Sequence, residues 1–189
     1  MSEFKIPPVV TFVGRQTNML ANGYLRDDPT AKAGLAEIRK CADGKIHPDP
    51  AILQWTLEGL PECNRHREWA ASLALGLFAL TQRANHERSA VTDTHFMTAV
   101  SKLANDNDQW AKGLVRSFRS IQRTDSPELL AHRLRAFANQ LNSEKSGANW
   151  GWLAFRLEQW HNPNTRDQAR LAWGREFFNP TIKSDNNKE

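Results

Sequence analysis

Residues 69–80 read WAASLALGLFAL and form the longest apolar run of the chain. The large apolar side chains in this run return at helical spacing, at Trp69, Leu73, Leu77 and Leu80. Such spacing is typical of one face of an α-helix. The run is much shorter than the roughly 20 apolar residues that a membrane span needs. It therefore predicts a buried helix, over about residues 65–84, that the rest of the chain packs around.

Helical periodicity continues on both sides of this run, and period-two alternation is not sustained anywhere. Before the run, helices are predicted at about 8–22 (closed by Asn22-Gly23), at 29–41 and directly after Pro50. After it, they are predicted at about 94–104, 107–123, 127–142, 149–161 and 164–179. Start signals support these positions, for example Ser126 followed by Pro127. The expected fold class is all-α, a compact helical bundle.

The polar stretch at 85–93 lies between the apolar run and the next helix, as a connection between two packed units would. It predicts two small helical sub-bundles, an N-terminal one over residues 1–90 and a C-terminal one over residues 91–180. The last residues, 181–189, are polar and are expected to form a flexible tail.

The composition is that of a globular protein, with 40% apolar and 24% charged residues among 189. The first residues contain no signal-peptide core. Cys41 and Cys63 are too few for a disulfide framework. These features predict a soluble cytoplasmic protein without membrane contact.

Sequence motifs for catalysis and metal binding are missing. The six histidines form no HxxxH, HExxH or HxH pair. There is no GxSxG elbow, no GxxxxGK[ST] loop and no GxGxxG motif. Asp93, before Thr94 and His95, is interpreted as a helix N-cap. We therefore expect a binding protein rather than an enzyme, with no catalytic residue, no metal site and no cofactor.

The helix predicted at 107–123 carries a row of cations. At 100° per residue its cations fall within about 60° of one another, in a row about 16 Å long. The opposite face is apolar and consists of Ala111, Leu114, Val115, Phe118 and Ile121. We call this row the basic stripe; it consists of Lys112, Arg116, Arg119 and Arg123. No acidic residue lies between the first and the last of them. Like charges repel, so the stripe favours an external polyanion over the alternative of a solvated face.

Four other cations are weaker candidates. Arg39 and Lys40 close the second predicted helix, while Arg133 and Arg135 belong to the helix at 127–142, whose apolar face turns Arg135 outward and places Arg133 on the flank. The large C-terminal side chains at helical spacing are interpreted as core rather than as stacking platforms for bases. The predicted nucleic-acid-binding residues are therefore Arg39, Lys40, Lys112, Arg116, Arg119, Arg123, Arg133 and Arg135.

The order of these segments resembles the CasB family, the small subunit of the type I-E CRISPR Cascade complex. Residues 35–40, LAEIRK, are similar to the family's A-x-L-R-R segment, and residues 69–80 to its long apolar helix. Residues 149–178 are similar to its closing D-W…L…W…R…W-A-R-D-F pattern. The similarity extends from about Phe12 to Phe178.

The resemblance implies a non-enzymatic subunit of an RNA-guided antiviral complex, usually present in two copies. Its implied partners are the other Cascade protein subunits, a second copy of itself, the guide RNA and the target DNA. In that family basic surface residues hold chiefly the displaced DNA strand and stabilise the R-loop. Arg39 and Lys40 match the family's Arg-Arg pair, with lysine replacing one arginine, and the basic stripe corresponds to a basic helix.

The sequence is also compatible with two other functions. A helical DNA-binding regulator would use a helix-turn-helix around the break at residues 124–127. A protein-interaction module would need no contact with nucleic acid, and the basic stripe would then serve no ligand.

Overall fold

The computed structural model describes the backbone of residues 5–104 and 108–179 and the side chains of residues 5–104 and 111–179. Over these ranges the chain is all-helical, with one isolated bridge, between Ala90 and Ala148, and no β-strand. The predicted fold class is confirmed. The helices are α1 (Pro8–Leu25), α2 (Pro29–Ile38), a 3₁₀ segment (Arg39–Asp43), α3 (Pro50–Thr56), α4 (Arg65–Gln82), α5 (Phe96–Lys102), α6 (Asp108–Gln122), α7 (Pro127–Ser143), α8 (Trp150–His161) and α9 (Arg166–Phe178).

Helix α4, which contains the apolar run, is the central element of the bundle. Its residues from Trp69 to Gln82 are all buried, and it packs against α1, α7, α8 and the 3₁₀ segment. Asn64 caps its start by accepting hydrogen bonds from the backbone amides of His66 and Arg67. The predicted core helix is thus confirmed, ending two residues earlier than expected.

Aromatic side chains fill the space around α4. Trp150 lies edge-on to Phe78, with ring centroids 5.9 Å apart. Trp69 stacks on Trp160 and donates from Nε1 to the carbonyl oxygen of Gly44, at 2.8 Å. Trp150, Trp160 and Trp173 are buried, as expected for core positions.

The end of α1 differs from the prediction. Asn22 and Gly23 do not close the helix, which continues to Leu25; the left-handed residue that follows is Asp27, with φ of 61°. Gly23 serves packing instead, because a Cβ at this position would lie 2.6 Å from Cβ of Ala31 on α2. The prediction that Asn22 and Gly23 end the first helix is therefore wrong.

Two other boundaries also differ. The second helix is α-helical only to Ile38 and continues as the 3₁₀ segment, which ends at Gly44 with φ of 81°. Asp93 is not an N-cap. Helix α5 begins at Phe96 with His95 in the cap position and no capping side chain, while Asp93 accepts a hydrogen bond from the Thr94 hydroxyl.

Helices from both halves of the chain share the core. One connected cluster of buried apolar side chains reaches from Val9 to Phe177, and α4 packs against both α1 and α8. A division into sub-bundles at residue 90 stays a prediction, and the predicted tail at 181–189 lies outside the described residues. None of the described helices is long and apolar enough to cross a membrane.

Candidate nucleic-acid interface

Helix α6 has a buried apolar side and an exposed basic side. Leu114, Phe118 and Ile121 are buried, and Phe118 packs on the aromatic end of α9. Gln122, one turn further along, donates from Nε2 to the carbonyl oxygen of Arg170, 2.9 Å away, and adds a second contact between α6 and α9. The basic stripe is exposed along its whole length. The predicted orientation of α6 is therefore confirmed for the stripe and for these three buried residues.

A groove of about 1090 Å³ lies between α6 and the start of α7. All four cations of the stripe line one wall, and Arg133 of α7 lines the other. Val115, Ala111 and Leu129 add apolar surface, so two residues expected opposite the stripe contribute to its groove instead. We call this feature the basic groove. It brings together five of the eight predicted residues: Lys112, Arg116, Arg119, Arg123 and Arg133.

Asp125, in the turn between α6 and α7, also lines the groove, but its charge is already matched. Arg166 and Arg170 of α9 lie 3.0 and 2.8 Å from its Oδ1 atom. The hydrogen bond from Arg170, followed by that from Arg166, holds the pKa of the Asp125 carboxyl below its usual value. The carboxylate is therefore satisfied by α9 and not by the groove cations.

The groove cations have no matching carboxylate in the part of the chain that the structure describes. There, no Asp or Glu oxygen lies within 4 Å of any of the five. The Thr124 hydroxyl and Arg133 Nε, both buried in the groove wall, have no hydrogen-bond partner among the described residues. This concentration of unmatched positive charge suits a polyanion.

The other three predicted residues lie outside the groove. Lys40 forms a 2.6 Å ion pair with Glu37, and this bond raises the pKa of its ammonium group. Arg135 is exposed, and at 100° per residue it points to roughly the opposite side of α7 from Arg133. The lining of the groove includes none of the three.

Arg39 is half-buried at the start of the 3₁₀ segment. Burial, followed by the nearby charge of Arg83, lowers the pKa of its guanidinium group. Sequence reasoning missed Arg83, which is 44 residues further along the chain and shares no local pattern with Arg39. It also missed Arg166 and Arg170, because no helical spacing links them to Asp125.

Two histidine contacts elsewhere tie helices together without forming a metal centre. His66 Nδ1 lies 2.7 Å from His161 Nδ1, and His95 Nδ1 lies 2.8 Å from Glu176 Oε1. Among the residues that the structure describes, no three His, Cys, Asp or Glu side chains are grouped so as to hold a metal ion.

Comparison with known proteins gives a consistent picture. The family model of the CRISPR-associated protein Cse2 matches residues 34–178. The crystal structure of CasB from Thermobifida fusca is similar over 92% of this chain and 99% of its own, with a TM-score of 0.78 and 27% sequence identity.

A CRISPR-associated protein of the Cse2 family from Thermus thermophilus shares the fold, with a TM-score of 0.66. The similarity covers 88% of this chain and 97% of that one, at 17% identity. None of the curated proteins matches the chain.

Proposed function

Since the chain belongs to the CRISPR-associated protein Cse2 family, we propose that it is a non-catalytic subunit of a type I-E Cascade complex whose basic groove binds the backbone of nucleic acid. The strand in the groove is the DNA strand displaced when the guide RNA pairs with its target. Holding that strand stabilises the R-loop during antiviral defence. The partners are the other Cascade protein subunits, a second copy of this chain and the guide RNA.

One observation carries this proposal: five cations line one groove, and the acidic residue in its wall, Asp125, is already paired with α9. A strand that neutralises such cations releases condensed counterions, which gives affinity without reading sequence. The side chains that the structure describes in the groove lining are charged, polar or aliphatic, and none of them is an aromatic ring on which a base could stack. Binding through phosphates alone suits a subunit that must accept any displaced sequence.

The energetics of R-loop formation make modest contacts sufficient. The RNA–DNA hybrid is about as stable as the DNA duplex that it replaces, so strand exchange is close to balance. Contacts to the displaced strand can therefore shift the equilibrium towards the open state. Arg39, Lys40 and Arg135 lie outside the groove and extend the contact surface in this proposal.

The test is the salt dependence of binding to single-stranded DNA of unrelated sequences. In the Arg116→Ala/Arg119→Ala variant the slope of log affinity against log salt should fall by about 0.7 for each cation removed. Arg26→Ala is the matched control, because Arg26 is an exposed cation at the end of α1 and is not part of the groove.

The outcomes separate the proposed function from its alternatives. Loss of slope in the groove variant, with the control unchanged, supports backbone binding. A strong preference for one duplex sequence would instead identify a DNA-binding regulator. Binding that is equal in all three proteins, or absent from all of them, would contradict the proposal and leave a protein-interaction module.

A further inference from the structure

The turn between α6 and α7 is held by two arginines that come from 41 and 45 residues further along the chain. Arg170 donates from Nη2 to the Thr124 carbonyl oxygen, at 2.9 Å, and to Asp125 Oδ1, at 2.8 Å. Arg166 donates from Nη1 to the same carboxylate oxygen, at 3.0 Å. Both guanidinium groups therefore converge on one acidic side chain in the wall of the basic groove.

The two arginines are anchored away from the groove. Arg166 donates from Nε to the Trp160 carbonyl oxygen, at 2.9 Å, and its guanidinium lies 4.9 Å from the centre of the Trp160 ring. The backbone carbonyl of Arg170 accepts the hydrogen bond of Gln122. Neither arginine lines the groove. Truncating their side chains would thus remove no phosphate ligand from it.

Resting on the function proposed above, we infer that Arg166 and Arg170 are positioning residues of the basic groove, which neutralise Asp125 so that the groove cations stay available for phosphates. Asp125 stands two residues after Arg123, in the same wall. Without the α9 arginines, the Asp125 carboxylate would compete with the phosphates of the strand for the groove cations. Its negative charge would also reduce the local positive potential.

The exposure of the three side chains suits a role in binding. The side chain of Asp125 is 70% exposed, whereas those of Arg166 and Arg170 are only 20% and 23% exposed, so two anchored cations hold a carboxylate that faces the groove. The potential in the groove depends directly on how many of its charges are compensated. The loss of one cation to an internal partner is equivalent to the loss of about one phosphate contact.

Removing these charges by neutral substitutions tests the inference. The probe is a single-stranded oligodeoxythymidylate, and its affinity is measured against salt for three variants: Arg166→Gln/Arg170→Gln, the same pair with Asp125→Asn, and Asp125→Asn alone. The double variant should bind about three- to tenfold more weakly at low salt, with a shallower slope. Adding Asp125→Asn should restore most of the affinity, and Asp125→Asn alone should bind at least as tightly as the wild type.

Rescue is the decisive readout, since Asn cannot replace a missing phosphate ligand or rebuild a collapsed turn. A double variant that binds normally, or a triple variant as weak as the double, would overturn the inference. If the double variant fails to fold, Arg170→Gln with and without Asp125→Asn gives the same comparison.

Failure of the proposed function gives a different result. Arg116→Ala/Arg119→Ala would then bind as the wild type does, whatever the rescue shows. Should the wild type not bind the probe, both proposals fail.

Discussion

Phe118 of α6 lies parallel to Phe177 of α9, with 7° between the ring planes and 4.2 Å between the ring centroids. Phe178 completes the cluster by standing edge-on to Phe118, with 5.5 Å between the ring centroids. Phe118 is buried, whereas Arg116 and Arg119 on the same helix are exposed. This stack therefore joins α6, the helix that presents the basic stripe, to the end of α9.

Replacing Phe118 with Ala should lower the free energy of unfolding by about 3–5 kcal/mol, because a buried ring is removed and a cavity remains. Arg119→Ala is the control on the same helix, and its exposed side chain should change stability by no more than about 0.5 kcal/mol. Urea unfolding of the two variants measures the difference. Comparable losses in both would mean that the basic side of α6 supports the fold.

Gly76→Ala should be destabilising, although alanine is the better helix former. A Cβ at Gly76 would lie 2.4 Å from the backbone nitrogen of Ala42, so α4 and the 3₁₀ segment would have to separate. We expect a loss of about 1–3 kcal/mol from overpacking.

The control for this variant is Gly113→Ala on α6, where no atom of the described residues lies within 4 Å of an added Cβ. There the same substitution should stabilise the protein by up to about 1 kcal/mol, through helix propensity alone. Thermal melts of both variants measure the contrast, and a shift of the same sign in both would contradict it.

Lys40→Ala should affect nucleic-acid binding less than Arg116→Ala does. Lys40 is already paired with Glu37 at 2.6 Å, so a phosphate must compete with an internal carboxylate, whereas Arg116 has no carboxylate partner in the described part of the chain. The change in salt slope for Lys40→Ala should be less than half of that for Arg116→Ala. In a Glu37→Gln background Lys40 has lost its carboxylate partner, so Lys40→Ala should change the salt slope more than it does in the wild type. Equal slopes for the two alanine variants would argue against this ranking.

His161 should make the protein less stable as the pH falls from about 6.5 towards 4. Its partial burial, followed by the nearby charge of His66, lowers the pKa of its imidazole to about 4. In this pH window the unfolded chain binds a proton that the folded protein excludes, so protonation favours unfolding. Above the window the ring is neutral in both states, and this contribution does not vary with pH.

The measurement for His161 is the change in melting temperature between pH 7 and pH 5. The drop should be smaller in His161→Gln than in the wild type, because glutamine does not titrate. The comparison concerns the difference between the two pH values, since the variant also loses the ring that stacks on Trp69 at 4.6 Å. Equal drops in the two proteins would show that other groups carry the pH dependence.

Local periodicity predicted those parts of the molecule that depend on one helix at a time. The burial of α4 and the opposite sides of α6 follow from spacings of three and four residues, so both could be expected from the sequence. Gly23 could not be interpreted in this way, because its role depends on Ala31 of a neighbouring helix. The sequence shows that position 23 is a glycine, but it does not show the residue on α2 against which this glycine packs.

The candidate site likewise combines a feature of one helix with features that depend on the packing of several helices. The basic stripe was predictable as a pattern on one helix, but its opposing wall depends on how α7 packs against α6. The pairing of Asp125 with Arg166 and Arg170 spans more than 40 residues and involves no repeated spacing. Only the packing of α9 against the turn brings these charges together.

In the proposed function, the length of the basic stripe sets how much of a strand one molecule would hold. Four cations from Lys112 to Arg123 cover about 16 Å along α6, and a stacked strand places one phosphate about every 3.4 Å. One groove would therefore face about five nucleotides, a short footprint compared with the RNA–DNA hybrid of about 20 base pairs in complexes of the Cas9 type. A single copy would contact only a quarter or so of a displaced strand of that length. Continuous coverage then requires several such footprints placed end to end, which makes the spacing between neighbouring subunits as important as the chemistry of any one of them.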